Sequence, residues 1–156
     1  MTKQELQAAL EKASQEYDFK YTTGGNVPAN SSAIFEIAIS ADAAFHAQSV
    51  TGEFTTLNAG GADGGANGLT MQWFDDGRDL RLFNDFIPCS LVFSPGRQRS
   101  SGIAGDPSQQ LFFPIEFDYL FKPTSTFRCE VRNSLATDNN FQMCFHGTKY
   151  LENPGE

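Results

Sequence analysis

The chain has 156 residues, a single-domain length, and 15 of them are Phe, so it can bury a packed interior and does not have the composition of a disordered chain. A formal net charge of −8, with no run of Lys or Arg, argues against non-specific binding to nucleic acid or to an anionic membrane surface. Apolar runs of only a few residues exclude a membrane-spanning helix, the N-terminus has no apolar leader segment, and three Cys without a CxxC point to reduced thiols in a cytoplasm-like setting.

From Thr2 to about Tyr17 the spacing predicts a helix. Thr2 and Glu5 form a T-x-x-E capping box. Leu6, Leu10, Ala13 and Tyr17 then fall at four-three-four spacing and make one narrow apolar stripe. The four are the candidate partner-binding residues of a helical arm over residues 1–20. The arm docks on its own domain, docks on a neighbouring subunit, or is a frayed terminus. "TTGGNVPANSS" (22–32) has loop composition. "AIFEIAIS" (33–40) and "AAFHAQSVTGEF" (43–54) are strands. "NAGGADGGANG" (58–68) is a Gly-rich tip that lacks the Lys-Ser or Lys-Thr of a phosphate cradle. "LTMQWF" and "RDLRLF" flank the turn "DDG" as a hairpin. "DFIPCSLVF" (85–93) is a further strand whose Pro suits an edge or a bulge. Residues 94–110 form a polar loop with Arg97 and Arg99. About eight strands, one terminal helix and no alternating βα units predict an all-β, antiparallel sandwich over residues 21–156. Eight strands in two sheets match a jelly roll.

In "FFPIEFDYLFK", Phe113, Ile115, Phe117, Tyr119 and Phe121 share one parity, while Glu116 and Asp118 share the other. One face is therefore apolar, and the two carboxylates point outward. They suit a solvated face first and a carboxylate pair or cation site second. "FRCEVRN" and "FQMCFHG" sort Phe127, Cys129 and Val131 to one side, and Phe141, Met143 and Phe145 likewise. As an antiparallel hairpin they pair Cys129 with Phe145 and Val131 with Met143. Cys129 then points in, while Cys144 and His146 point out. Those two sit about 6–7 Å apart, too far for direct proton transfer. No third metal ligand is near, because the only other His is His46. Asp75, Asp76 and Asp79 around Gly77 read as a turn rather than a calcium loop. Trp73 shares its parity with Leu69 and Met71, as a core residue does.

From residue 85 onward, "NDFIPCSLVFSPG", a polar loop, "FFPIEFDYLFKPTSTFRCEVRN" and a closing "HGTKYL" resemble small structural proteins of tailed-bacteriophage virions, of the kind that decorate or cement a head or join head to tail. The resemblance covers roughly the last 70 residues. It implies an all-β sandwich, often a jelly roll, that oligomerises on a larger shell. It carries no catalytic residue, cofactor or metal. The implied partners are a major capsid or connector protein and further copies of the chain, with a trimer suiting a shell. The implied location is the virion, after synthesis in the host cytoplasm. A carbohydrate- or receptor-binding sandwich is the alternative, and it calls for an exposed aromatic such as Trp73 or Tyr150. A jelly-roll metal enzyme calls for converging His residues, and only His46 and His146 are available.

Overall fold

The computed structural model describes residues 2–56, 69–93, 115–136 and 138–152, with the backbone alone for 9–17, 53–56, 90 and 152. The Gly-rich tip and the loop holding Arg97 and Arg99 lie outside the described residues.

A short helix, α1 (Lys3–Lys12), opens the chain and leads into β1 (Ala13–Val27), β2 (Ser31–Ala38) and β3 (Ala43–Thr56). Next come β4 (Leu69–Asp75), β5 (Leu80–Arg81), β6 (Ile87–Pro88) and a helical turn, α2 (Cys89–Phe93). The chain closes with β7 (Ile115–Phe121), β8 (Thr126–Asn133) and β9 (Asn139–Glu152). The first sheet has the order β1-β9-β3-β7 and the second β2-β8-β4-β5, with β6 also on β4. Every pairing is antiparallel, so the protein is an all-β sandwich. The pairings nest from the two ends of the chain inward: β1 with β9, β2 with β8, β3 with β7, and β4 with β5 and β6.

The capping box forms as its spacing predicts. Thr2 N–H donates to Glu5 Oε2 at 3.1 Å, and Glu5 N–H donates to Thr2 Oγ1 at 3.3 Å. The helix, however, stops at Lys12, not near Tyr17, and the predicted loop at 22–32 is largely strand. Tyr17 belongs to a second period. Tyr17, Phe19 and Tyr21 alternate with Asp18 and Lys20, a two-residue repeat that suits β1. Pairing with β9 supplies the backbone partners, with Ala13 opposite Glu152 and Tyr17 opposite Lys149.

The apolar parities of β7, β8 and β9 are as expected, but β8 and β9 are not neighbours. Cys129 lies opposite Phe35 and Trp73, and Phe145 lies opposite Tyr21 and Val50. The two strands face each other across the core from different sheets. "DFIPCSLVF" also departs from a continuous strand. Pro88 has no N–H to continue a ladder, so pairing ends there and the chain turns helical. Cys89 and Phe93, at i and i+4, then reach the core, while Leu91 is 70% exposed.

Trp73 is the centre of the core. Its ring meets Phe83 at 4.7 Å, Phe117 at 5.5 Å, Phe127 at 5.7 Å and Phe145 at 5.8 Å. These distances suit edge-to-face and tilted aromatic packing, which adds about 0.5–1.5 kcal/mol per pair beyond area burial. The sandwich is laced at one end by Asn133. Its Nδ2 donates to Val27 O and Pro28 O at 3.1 and 3.2 Å, and its Oδ1 accepts from Leu135 N–H at 2.9 Å. Gly147 allows β9 to pass β3 where the latter bulges between Ala47 and Ser49; a Cβ at Gly147 would collide with His46 O.

Candidate functional site

The outer face of the first sheet gathers most of the side chains with chemical potential. Lys20 in β1 and Ser49 in β3 lie opposite His146 in β9, and Glu116 in β7 lies opposite Ser49. Thr22 and Thr51 lie opposite Cys144. His146 Nε2 is 3.1 Å from Thr51 Oγ1. A groove of about 600 Å³ runs over Thr22, Thr51, Gln142 and Cys144, and a second of about 480 Å³ over Asp18, Lys20, Gln48 and His146.

Partial burial, and then the Lys20 ammonium, lower the pKa of His146 below its ordinary 6.5. The ring is therefore neutral near pH 7. The expected result is an NMR titration midpoint for His146 below 6.5. An unfolded chain takes up this proton at a higher pH than the folded one. Stability is therefore full above pH 6.5 and declines as pH falls below it, and His146→Gln removes that part of the decline.

His46 makes a contact that its position in the sequence does not announce. Its Nε2 is 2.6 Å from Asp118 Oδ1 on β7. The imidazole side chain is 11% exposed and the carboxylate 74%. A His oriented by a carboxylate resembles half of a nucleophile-activating unit. Here the second ring nitrogen, Nδ1, is buried with no hydrogen-bond partner among the described residues, so it faces protein rather than an approaching substrate. His46 and His146 stand in different rows, with Leu120 and Thr148 opposite His46. Among the described residues, no group of three His, Cys, Asp or Glu side chains is placed to hold a metal ion.

The cysteines are poor nucleophiles. Cys89 and Cys129 are buried, and Cys144 is partly so. Burial raises the Cys89 thiol to about 12 and raises those of Cys129 and Cys144 as well. Cys144 and His146 share the outer face, as expected, but the thiol stays protonated at neutral pH. Trp73 and Tyr150, at 1% and 6% exposure, offer no stacking surface to a sugar.

Of the stripe residues, Leu6 is half-buried on α1, and Leu10 is on the same helix. Ala13 and Tyr17 are in β1, so the four do not share one helical face. The helix touches its own sandwich through Glu5, whose Oε2 is 3.6 Å from Arg78 Nη1.

The outer face of the second sheet has a different character. Arg128 lies over the Phe74 ring at 4.1 Å and binds both carboxylate oxygens of Asp76 at 3.1 and 3.3 Å. Arg132 lies over Phe86 at 3.5 Å. Beside them, Ile34 of β2 is 57% exposed. The alternation in the sequence marks these residues as outward-facing. The stacking partners come from β4 and the segment after β5, which no local period reveals.

No protein-family model matches the chain, and no curated protein matches it in sequence.

Proposed function

We propose that the protein is a structural component of a larger assembly, of the kind that decorates or cements the head of a tailed bacteriophage or joins head to tail, and that it acts through protein–protein contacts. The observation that carries this reading is the outer face of the second sheet. Arg128 and Arg132 stacked on Phe74 and Phe86, with exposed Ile34 beside them, have the composition of a protein contact surface, in which Arg and aromatic residues are enriched. The nested strand pairing supports a jelly-roll reading of the sandwich, an architecture shared by many shell proteins. Fold alone does not assign function, so the weight rests on the surface.

The test is composition. Particles produced by the genome that carries this chain are purified on a density gradient and their proteins identified by mass spectrometry. The reading predicts the chain in fixed ratio to the shell subunit, and its absence from intact particles overturns the reading. Arg132→Glu, on the same face, is expected to reduce incorporation without loss of folding.

A further inference from the structure

We propose that β2 is an open sheet edge that pairs antiparallel with β2 of a second copy of the chain, in a register centred on Ile34. The inference deepens the assembly reading above and rests on it for the expectation that copies of the chain meet.

The edges of the two sheets are not equivalent. β1 carries an irregularity between Ala13 and Gln15, exposed Asp18 and Lys20, and Gly24 at φ 149°. β7 turns exposed Glu116 and Asp118 outward. β5 is two residues long. Charge, irregularity and shortness are the devices that keep an edge from recruiting foreign strands. β2 lacks nearly all of them. It runs eight residues with unbroken register against β8, from Ser31 opposite Asn133 to Ala38 opposite Thr126. Its one charged residue is Glu36, and Ile34 is 57% exposed. Among the described residues β8 is its only strand partner, so every second backbone N–H and C=O points away from the sheet.

The sequence of β2 is self-complementary about a two-fold axis normal to the sheet. Such an axis keeps outer faces together, so Ile34 meets the partner's Ile34 and Ser32 meets the partner's Glu36. Arg132 lies opposite Ser32 in β8 and is therefore in the same row as the partner's Glu36. Two strand spacings separate the two, about 10 Å between Cα atoms, a span that the two side chains bridge once Arg132 swings from Phe86 toward β2. The symmetry makes this contact twice and sets no like charges opposite each other. A register centred on Phe35 would instead press Glu36 against Ile34.

The molar mass of the full chain is measured by light scattering over a concentration series. The expected value at the high end is twice 17.1 kDa, and Ile34→Lys returns it to that of one chain with cooperative melting retained. Independently of that variant's folding, Ile34→Cys is expected to give a two-chain species on a non-reducing gel after mild oxidation, which Ser32→Cys does not. A wild-type mass of one chain throughout, or cross-linking no stronger at position 34 than at 32, overturns the β2 pairing. A larger oligomer unaffected by Ile34→Lys overturns it too, while leaving the assembly reading standing. A β2 dimer that is absent from purified particles overturns the assembly reading and leaves the pairing.

Discussion

Asp75→Ala is expected to lower the stability of the fold by about 3–5 kcal/mol, the range for removing one partner from a buried charged network, measured by urea denaturation. Asp75 ends β4 with its side chain fully buried. The Tyr119 hydroxyl donates to its Oδ2 at 2.6 Å, Gly77 N–H donates to its Oδ1 at 3.0 Å, and Arg78 Nε is 3.7 Å from Oδ2. Truncation takes the acceptor from Tyr119 and Gly77 and the counter-charge from Arg78 at once. It also loosens the turn between β4 and β5 and the guanidinium that Glu5 of α1 reaches. Asp75→Asn keeps an acceptor for Tyr119 and is expected to lose less. A pH effect accompanies the network. Burial first, and then the hydrogen bond to Asp75, raise the Tyr119 hydroxyl above its ordinary 10. A folded-state pKa above the unfolded value gives stability that is full below pH 10 and is lost as pH rises further. Tyr119→Phe is expected to remove that alkaline loss.

Phe145→Ala is expected to cost a further, independent loss of about 3–5 kcal/mol, the range for truncating a buried aromatic. Phe145 has no exposed surface. Its ring is 4.8 Å from Phe127 and 5.8 Å from Trp73 in the facing sheet, and 5.3 and 5.6 Å from Phe117 and Phe121 in its own. Neighbours held by two sheets cannot collapse into the void, which places this site toward the costly end of the range. Leu91→Ala, at an exposed position away from β2, is the control and is expected to change stability by under about 0.5 kcal/mol. A Phe145→Ala loss below about 1 kcal/mol would mean that the sheets do not close over this ring.

The facing of the side chains was legible in the sequence, while the neighbours of each strand were not. Parity sorts Phe127, Cys129 and Val131 inward, and Phe141, Met143 and Phe145 inward, in a hairpin and in two opposed sheets alike. Nothing in a period of two says whether the apolar row lies beside its partner or above it. Chain proximity favours the hairpin, and the five residues between β8 and β9 instead carry the chain from one sheet to the other. The end of α1 was obscured for a related reason. Tyr17 satisfies a helical stripe reaching back to Leu6 and a strand alternation running on to Tyr21, and the long-range ladder with β9 decides between them. The bond between His46 and Asp118 was illegible because it joins strands 72 residues apart. The Asp cluster is legible as a turn, but the burial of Asp75 beneath Tyr119 depends on β7 packing over it.

The nested sandwich requires that the two ends of the chain lie side by side, β1 along β9, with Thr22 opposite Cys144. Antiparallel partners have Cβ atoms about 4.5–5.5 Å apart, close enough for a disulfide after small adjustment. Thr22→Cys is therefore expected to bond to Cys144 within one chain under mild oxidation, as identified by peptide mapping, while Tyr21→Cys, which faces the other way, leaves Cys144 free. A thiol at position 22 that does not bond to Cys144, or bonds to it no better than one at position 21, would contradict the nested sandwich.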